Sequence, residues 1–116
     1  MVFHSSIRYV DSVLTIDDVP VADIVREVGT PTYIYSLKRA IDNYERLKIA
    51  YSGLDVHIHY SAKANGNLDI LRALSNAGAG VDTVSMGEIF RALHAGIDPQ
   101  NIVFAGVGKT PQEIKY

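Results

Sequence analysis

Three β-prone runs, each followed by a stretch with helical spacing, recur through the second half of this 116-residue chain. The first run, 56–62, passes through Asn65-Gly66-Asn67 into a stretch carrying Leu68, Leu71, Leu74 and Ala77, closed by Gly78. The second, Gly80-Val-Asp-Thr-Val84, leads into Ser85-Met-Gly-Glu88, a capping-box pattern, with Ile89, Ala92 and Leu93 as the apolar side and Gly96 as the stop. The third, Ile102-Val-Phe-Ala105, leads to a second capping box, Thr110-Pro-Gln-Glu113, with proline at the first helical position. Strands spaced by about 20–24 residues with a helix between them read as consecutive right-handed βα units, so the expected class is α/β with a parallel sheet.

The third unit receives only Ile114, Lys115 and Tyr116 after its cap, and so short a helix is marginal without packing. Closing a barrel takes eight strands and roughly 250 residues. The expectation is therefore the first part of a (β/α)8 TIM-type barrel, truncated after about three βα units.

Upstream, Ile7–Val10 and Ser12–Ile16 are short β-prone runs, and Asp17-Asp18-Val19-Pro20 turns the chain. Val21, Ile24, Val25 and Val28 follow at helical spacing before Gly29. Thr30-Pro31 opens an extended piece, Thr32–Tyr35 reads as a strand, and Ser36 can cap a helix from Leu37. Leu37, Ala40, Ile41, Tyr44, Leu47 and Tyr51 form its apolar stripe, and Ser52-Gly53 ends it. Residues 1–30 thus stand as an N-terminal β/helix segment before a barrel part at 31–116.

Composition narrows the function classes. Net charge is −2 with no basic stripe, which disfavours nucleic acid. The absence of cysteine removes disulfides, thiolate metal sites and a cysteine nucleophile. No apolar run approaches the roughly 18 residues of a membrane helix, and the first residues lack a secretory pattern, so a cytoplasmic location is expected.

The chemistry centres on Lys63, within His59-Tyr-Ser-Ala-Lys-Ala-Asn-Gly-Asn67. If 57–63 alternates, His57, His59, Ser61 and Lys63 share one face and point into a barrel, with the lysine nearest the C-terminal mouth where such barrels keep their active sites. A partly desolvated lysine there, its pKa lowered, can act as an amine nucleophile. An ordinary solvated lysine at a strand end fits the same residues. Asp82, in the next strand, would put a carboxylate beside Lys63, or make a turn hydrogen bond. His57 and His59 lack a third ligand nearby, so no metal is expected. Gly106-Val-Gly-Lys-Thr110 lacks phosphate-loop spacing and reads as a turn.

The stretch His59–Leu68 resembles the pyridoxal-phosphate lysine motif of diaminopimelate decarboxylases, with its Tyr-x-x-Lys-Ala-Asn core. Gly80–Leu93, continuing to Gly96, is similar to that family's next βα unit. Ile102–Lys109 resembles the third, and Gly29–Ser36 the family's approach to its barrel. The resemblance runs from about residue 7 to the end, departing at Met86, where the family often has glycine.

The resemblance implies an alanine-racemase-like barrel, with residues 1–30 belonging to a separate C-terminal β-domain. It implies Lys63 as the catalytic Schiff-base lysine for pyridoxal 5'-phosphate, with Asp82 and Ser61 lining the cofactor site. The implied activity is decarboxylation of meso-2,6-diaminopimelate to L-lysine and CO2, the last step of lysine biosynthesis, in a homodimer whose sites borrow residues from the second subunit. The rest of the site, including the phosphate-binding glycines and substrate arginines, lies further along in that family, so this chain alone is expected to be inactive and to self-associate through its open sheet edge. A decarboxylase for ornithine or arginine, or a non-catalytic pyridoxal-phosphate-binding protein on the same barrel, would fit the same residues.

Overall fold

The computed structural model describes residues 6–116; residues 1–5, on which the secretory-signal reading partly rests, lie outside the described residues. The chain forms two compact units, one ending at Asp42 and one running Asn43–Tyr116.

The first unit is built on an antiparallel meander of β1 (Ile7–Val10), β2 (Val13–Ile16) and β3 (Val19–Pro20). Two-residue turns join them, with Asp11 and Ser12 at φ 49° and 66° and Asp17 and Asp18 at φ 49° and 67°. Positive φ at both central positions matches the twist of the flanking strands, and Asp tolerates that region better than most residues. Val19–Pro20, expected within a turn, instead forms a third strand, because the tight Asp17-Asp18 turn returns the chain in register with Thr15 and Ile16. Helix α1 (Val21–Val28) follows and stops at Gly29, whose φ of 78° a side chain would disfavour.

Residues 32–35 do not form the expected strand. Their side chains favour β structure, but a strand needs a neighbour for its backbone groups, and Tyr33 at 90% exposure shows how little covers this piece. Helix α2 (Leu37–Ala50) starts where expected, with Ser36 Oγ accepting from Arg39 N–H at 3.0 Å. Of its apolar stripe only Tyr44 is buried.

The second unit holds a parallel sheet ordered β4–β5–β6, from β4 (His59–Ser61), β5 (Gly80–Thr83) and β6 (Ile102–Phe104). Helix α3 (Leu68–Asn76) connects β4 to β5, helix α4 (Met86–His94) connects β5 to β6, and α5 (Pro111–Lys115) follows. The register aligns Tyr60, Val81 and Ile102 in one row and Ser61, Asp82 and Val103 in the next. Successive residues face opposite ways, so the first row packs on the helices, in a core of Ala62, Leu71, Val81, Ala92, Ala95 and Ile97. The second row faces away from it.

Both connecting helices end in the same device. Gly78 (φ 103°) and Gly96 (φ 86°) follow α3 and α4, while Ala79 N–H donates to Leu74 O at 3.0 Å and Ile97 N–H to Ala92 O at 3.1 Å. This is the Schellman arrangement, and it turns Ala79 and Ile97, each 3% exposed, into the core before the next strand starts.

The same device shortens β4. Gly80, the first residue of β5, donates to Ile58 O at 3.0 Å, so the ladder begins there and the exposed Val56 and His57 have no partner strand alongside. The expected strand 56–62 therefore reduces to His59–Ser61.

Candidate functional site

Ala62 is the last residue of this stretch held by the sheet. Its N–H donates to Asp82 O at 2.9 Å and its methyl is buried in the core. The chain then turns over 62–64, with Ala64 N–H donating to Ser61 O at 3.1 Å. Lys63 lies in this turn and is exposed, and among the described residues its ammonium has no hydrogen-bond or ion-pair partner. It does not continue the face of His59 and Ser61, as strict alternation would have it, because the strand has ended at Ser61. Nor is it desolvated within these residues. The position is nonetheless just past the C-terminal end of a parallel strand.

Ser61 and Asp82 are directly opposite in the parallel register, and Ser61 Oγ donates to Asp82 Oδ2 at 3.1 Å. Both are partly buried on the sheet face turned away from the core. The carboxylate makes no ion pair with Lys63. The structure thus brings Ser61 and Asp82 together at one end of the sheet, Ser61 next to the turn and Asp82 accepting from Ala62 N–H, and leaves the lysine amine uncommitted among the described residues. An amine so placed is free to condense with an aldehyde, so the residues present fit a pyridoxal group held through Lys63.

The other sequence candidates separate. His57 precedes the strand and is exposed, while His59 lies against Gly80, where an added Cβ would collide with the imidazole and fall 2.9 Å from Asn101 O. Among the described residues no cluster of His, Cys, Asp or Glu could hold a metal. In the 106–110 turn, Lys109 Nζ donates to Gly106 O at 2.5 Å and stands 4.9 Å from the Phe104 ring centre, so it is folded back on its own loop.

Two interactions near this end of the sheet had no local signal in the sequence. Arg91, on α4, donates its Nε–H to Gly66 O at 2.8 Å, in the segment that follows Lys63. Glu113 closes its expected capping box, accepting from Thr110 N–H at 2.9 Å, and also accepts from Met86 N–H at 3.3 Å, at the start of α4. The Ser85 cap is present, but Glu88 accepts from Val84 N–H at 2.8 Å, one residue before the position a capping box would use.

The Thr110 backbone N–H, then its hydroxyl, then the Met86 N–H hold the Glu113 carboxyl below its ordinary value of 4.5. A depressed folded-state value means that these contacts favour the native form fully above the ordinary carboxylate value and lose that effect as pH falls through the lowered one. The protection of the Met86 and Thr110 amides against exchange, taken relative to the intrinsic rate at each pH and followed by NMR, should fall in the wild type over that window. Glu113→Gln should show no such pH-dependent step; a step of the same size in both proteins would dismiss the assignment.

The profile of a family described as "Pyridoxal-dependent decarboxylase, pyridoxal binding domain" matches residues 37–116. A diaminopimelate decarboxylase of Vibrio cholerae is 44% identical over 108 residues, covering 90% of this chain and 25% of its own. That of Helicobacter pylori is 49% identical over 93 residues, covering 80% of this chain and 23% of its own. The crystal structure of diaminopimelate decarboxylase from M. jannaschii in complex with L-lysine superposes with a TM-score of 0.88 at 33% identity, covering 95% of this chain and 27% of that one. This chain therefore spans about a quarter of the length of the curated relatives it matches.

Proposed function

Since this chain belongs to the pyridoxal-dependent decarboxylases, through their pyridoxal-binding domain, we propose that it contributes the cofactor-bearing lysine of an enzyme that converts meso-2,6-diaminopimelate to L-lysine and CO2. The observation that carries this reading is Lys63, an exposed amine with no partner among the described residues, just past the C-terminal end of a parallel strand, in a chain whose relatives are diaminopimelate decarboxylases.

When bound, pyridoxal phosphate supplies an electron sink for the pair left on the α-carbon as CO2 departs. The residues of this chain do the rest of what can be assigned here. Lys63 Nζ is the atom that would hold the cofactor's aldehyde carbon, and as a free amine it would be able to take up or return a proton. Ser61 holds the Asp82 carboxyl through the 3.1 Å hydrogen bond at the same end of the sheet, where it is suited to steadying a cationic neighbour. The core behind Ala62 fixes the backbone from which the lysine projects.

The same proposal takes residues 31–116 as the first part of a (β/α)8 barrel and residues 1–30 as a segment that joins a C-terminal β-domain. The parallel β4–β5–β6 sheet supports the first, and the self-contained antiparallel meander β1–β3 supports the second. It also takes the working enzyme to be a cytoplasmic homodimer and the 116-residue chain, about a quarter of the length of its relatives, to be inactive and prone to self-association through β6. Exposure of Val103 on that edge strand supports association. No helix among the described residues is long and apolar enough to cross a membrane.

The test is turnover by the full gene product. Incubation with meso-diaminopimelate and pyridoxal phosphate should yield L-lysine and CO2 in equal amounts. Failure to form either would overturn the proposal, and faster turnover of ornithine or arginine in the same assay would move the substrate within the family.

A further inference from the structure

The backbone that carries Lys63 is held on both sides, and the outer hold comes from a different βα unit. Before the lysine, Ala62 N–H is fixed to Asp82 O at 2.9 Å. After it, Tyr60 donates its hydroxyl to Asn65 O at 3.3 Å, and Asn67 N–H donates to Asn65 Oδ1 at 3.0 Å. The one charged donor is Arg91 of α4, whose Nε–H reaches Gly66 O at 2.8 Å. Such a bond is shorter and stronger than a neutral one. Gly66 permits it: a Cβ at that position would stand 3.2 Å from Arg91 Nε and press the side chain away. Arg91 is exposed and forms no ion pair among the described residues, so its guanidinium is directed to this carbonyl.

Because the Lys63 ammonium has no partner among the described residues, its place depends strongly on its backbone. Resting on the reading of Lys63 as the cofactor anchor, we infer that Arg91 is a positioning residue for the Lys63 amine, acting through the Gly66 carbonyl. The unit after the lysine thereby sets the aim of the lysine.

Two variants isolate the bond. Arg91→Gln keeps an N–H donor the same number of bonds from Cα as Arg Nε, whereas Arg91→Met places a methyl there. In the full gene product without cofactor, hydrogen exchange across residues 62–71 should be about tenfold faster in Arg91→Met and only about threefold faster in Arg91→Gln, whose neutral donor makes a weaker bond. Schiff-base formation with added pyridoxal phosphate, followed by absorbance and by borohydride trapping, should slow about tenfold in Arg91→Met and be restored in Arg91→Gln. A loosened turn with unchanged Schiff-base kinetics would overturn the positioning role, as would unchanged exchange in Arg91→Met. Absence of any Schiff base in the wild type would overturn the cofactor reading and this inference with it, while the exchange measurement would still decide whether the clamp itself exists.

Discussion

Replacing Lys63 with alanine should leave the protein folded and remove its covalent hold on pyridoxal phosphate. The side chain is exposed and unpaired, so its loss should change stability by no more than about 0.5 kcal/mol. On the proposed assignment function should respond very differently, because the variant would lose both the atom that binds the aldehyde and a group able to carry a proton next to the reacting carbon. The second loss alone is typically worth on the order of 10²- to 10⁴-fold, so decarboxylation of meso-diaminopimelate by the full gene product should fall by at least about 10³-fold. Lys63→Arg should be as inactive, since guanidinium keeps the charge but stays protonated and cannot condense. Borohydride reduction followed by mass analysis checks the assignment directly: the tryptic peptide spanning residues 49–72 should gain the cofactor's mass in wild type and in neither variant. A variant with wild-type turnover would remove Lys63 from the mechanism.

Leu71→Ala should produce the largest loss of stability. Leu71 is fully buried in a cluster whose other members include Ala62, Ala92 and Ala95. Alanines carry no flexible atoms that could swing into a vacated space, so the core can close the cavity only by moving backbone. That argues for the upper part of the usual range, about 3–5 kcal/mol. Total stabilities are about 5–15 kcal/mol, so this is a large share of what holds the fold. For a unit of this size the melting temperature should drop on the order of 12–40 °C, measurable by circular dichroism. Ile49→Ala is the control: at 70% exposure it should cost less than about 0.5 kcal/mol. Equal losses in the two variants would mean that the core lies elsewhere.

The boundaries that were legible are those with a local cause. Ser36, Ser85 and Thr110 each accept a backbone N–H within three residues, and Gly29, Gly78 and Gly96 each adopt positive φ at a helix end. The strands were less so. Thr32–Tyr35 has strand-forming side chains and no ladder, while Val19–Pro20 pairs despite its turn-like surroundings. Strand length depends on where a partner starts, and β4 begins where Gly80 meets Ile58.

For the candidate site, the sequence by itself singled out Lys63 as a candidate near the end of a strand, because a turn-forming Asn-Gly-Asn and a repeating βα period are written locally, while the family showed through the resemblance of the motif around the lysine. Only the tertiary structure decided that Lys63 stands in a turn beyond the sheet, that Ser61 is bonded to Asp82, and that Arg91 reaches back to Gly66. Those contacts join residues 21 and 25 positions apart, and nothing in either partner's neighbourhood specifies the other. They exist because the parallel register and the packing of α4 bring the two ends together.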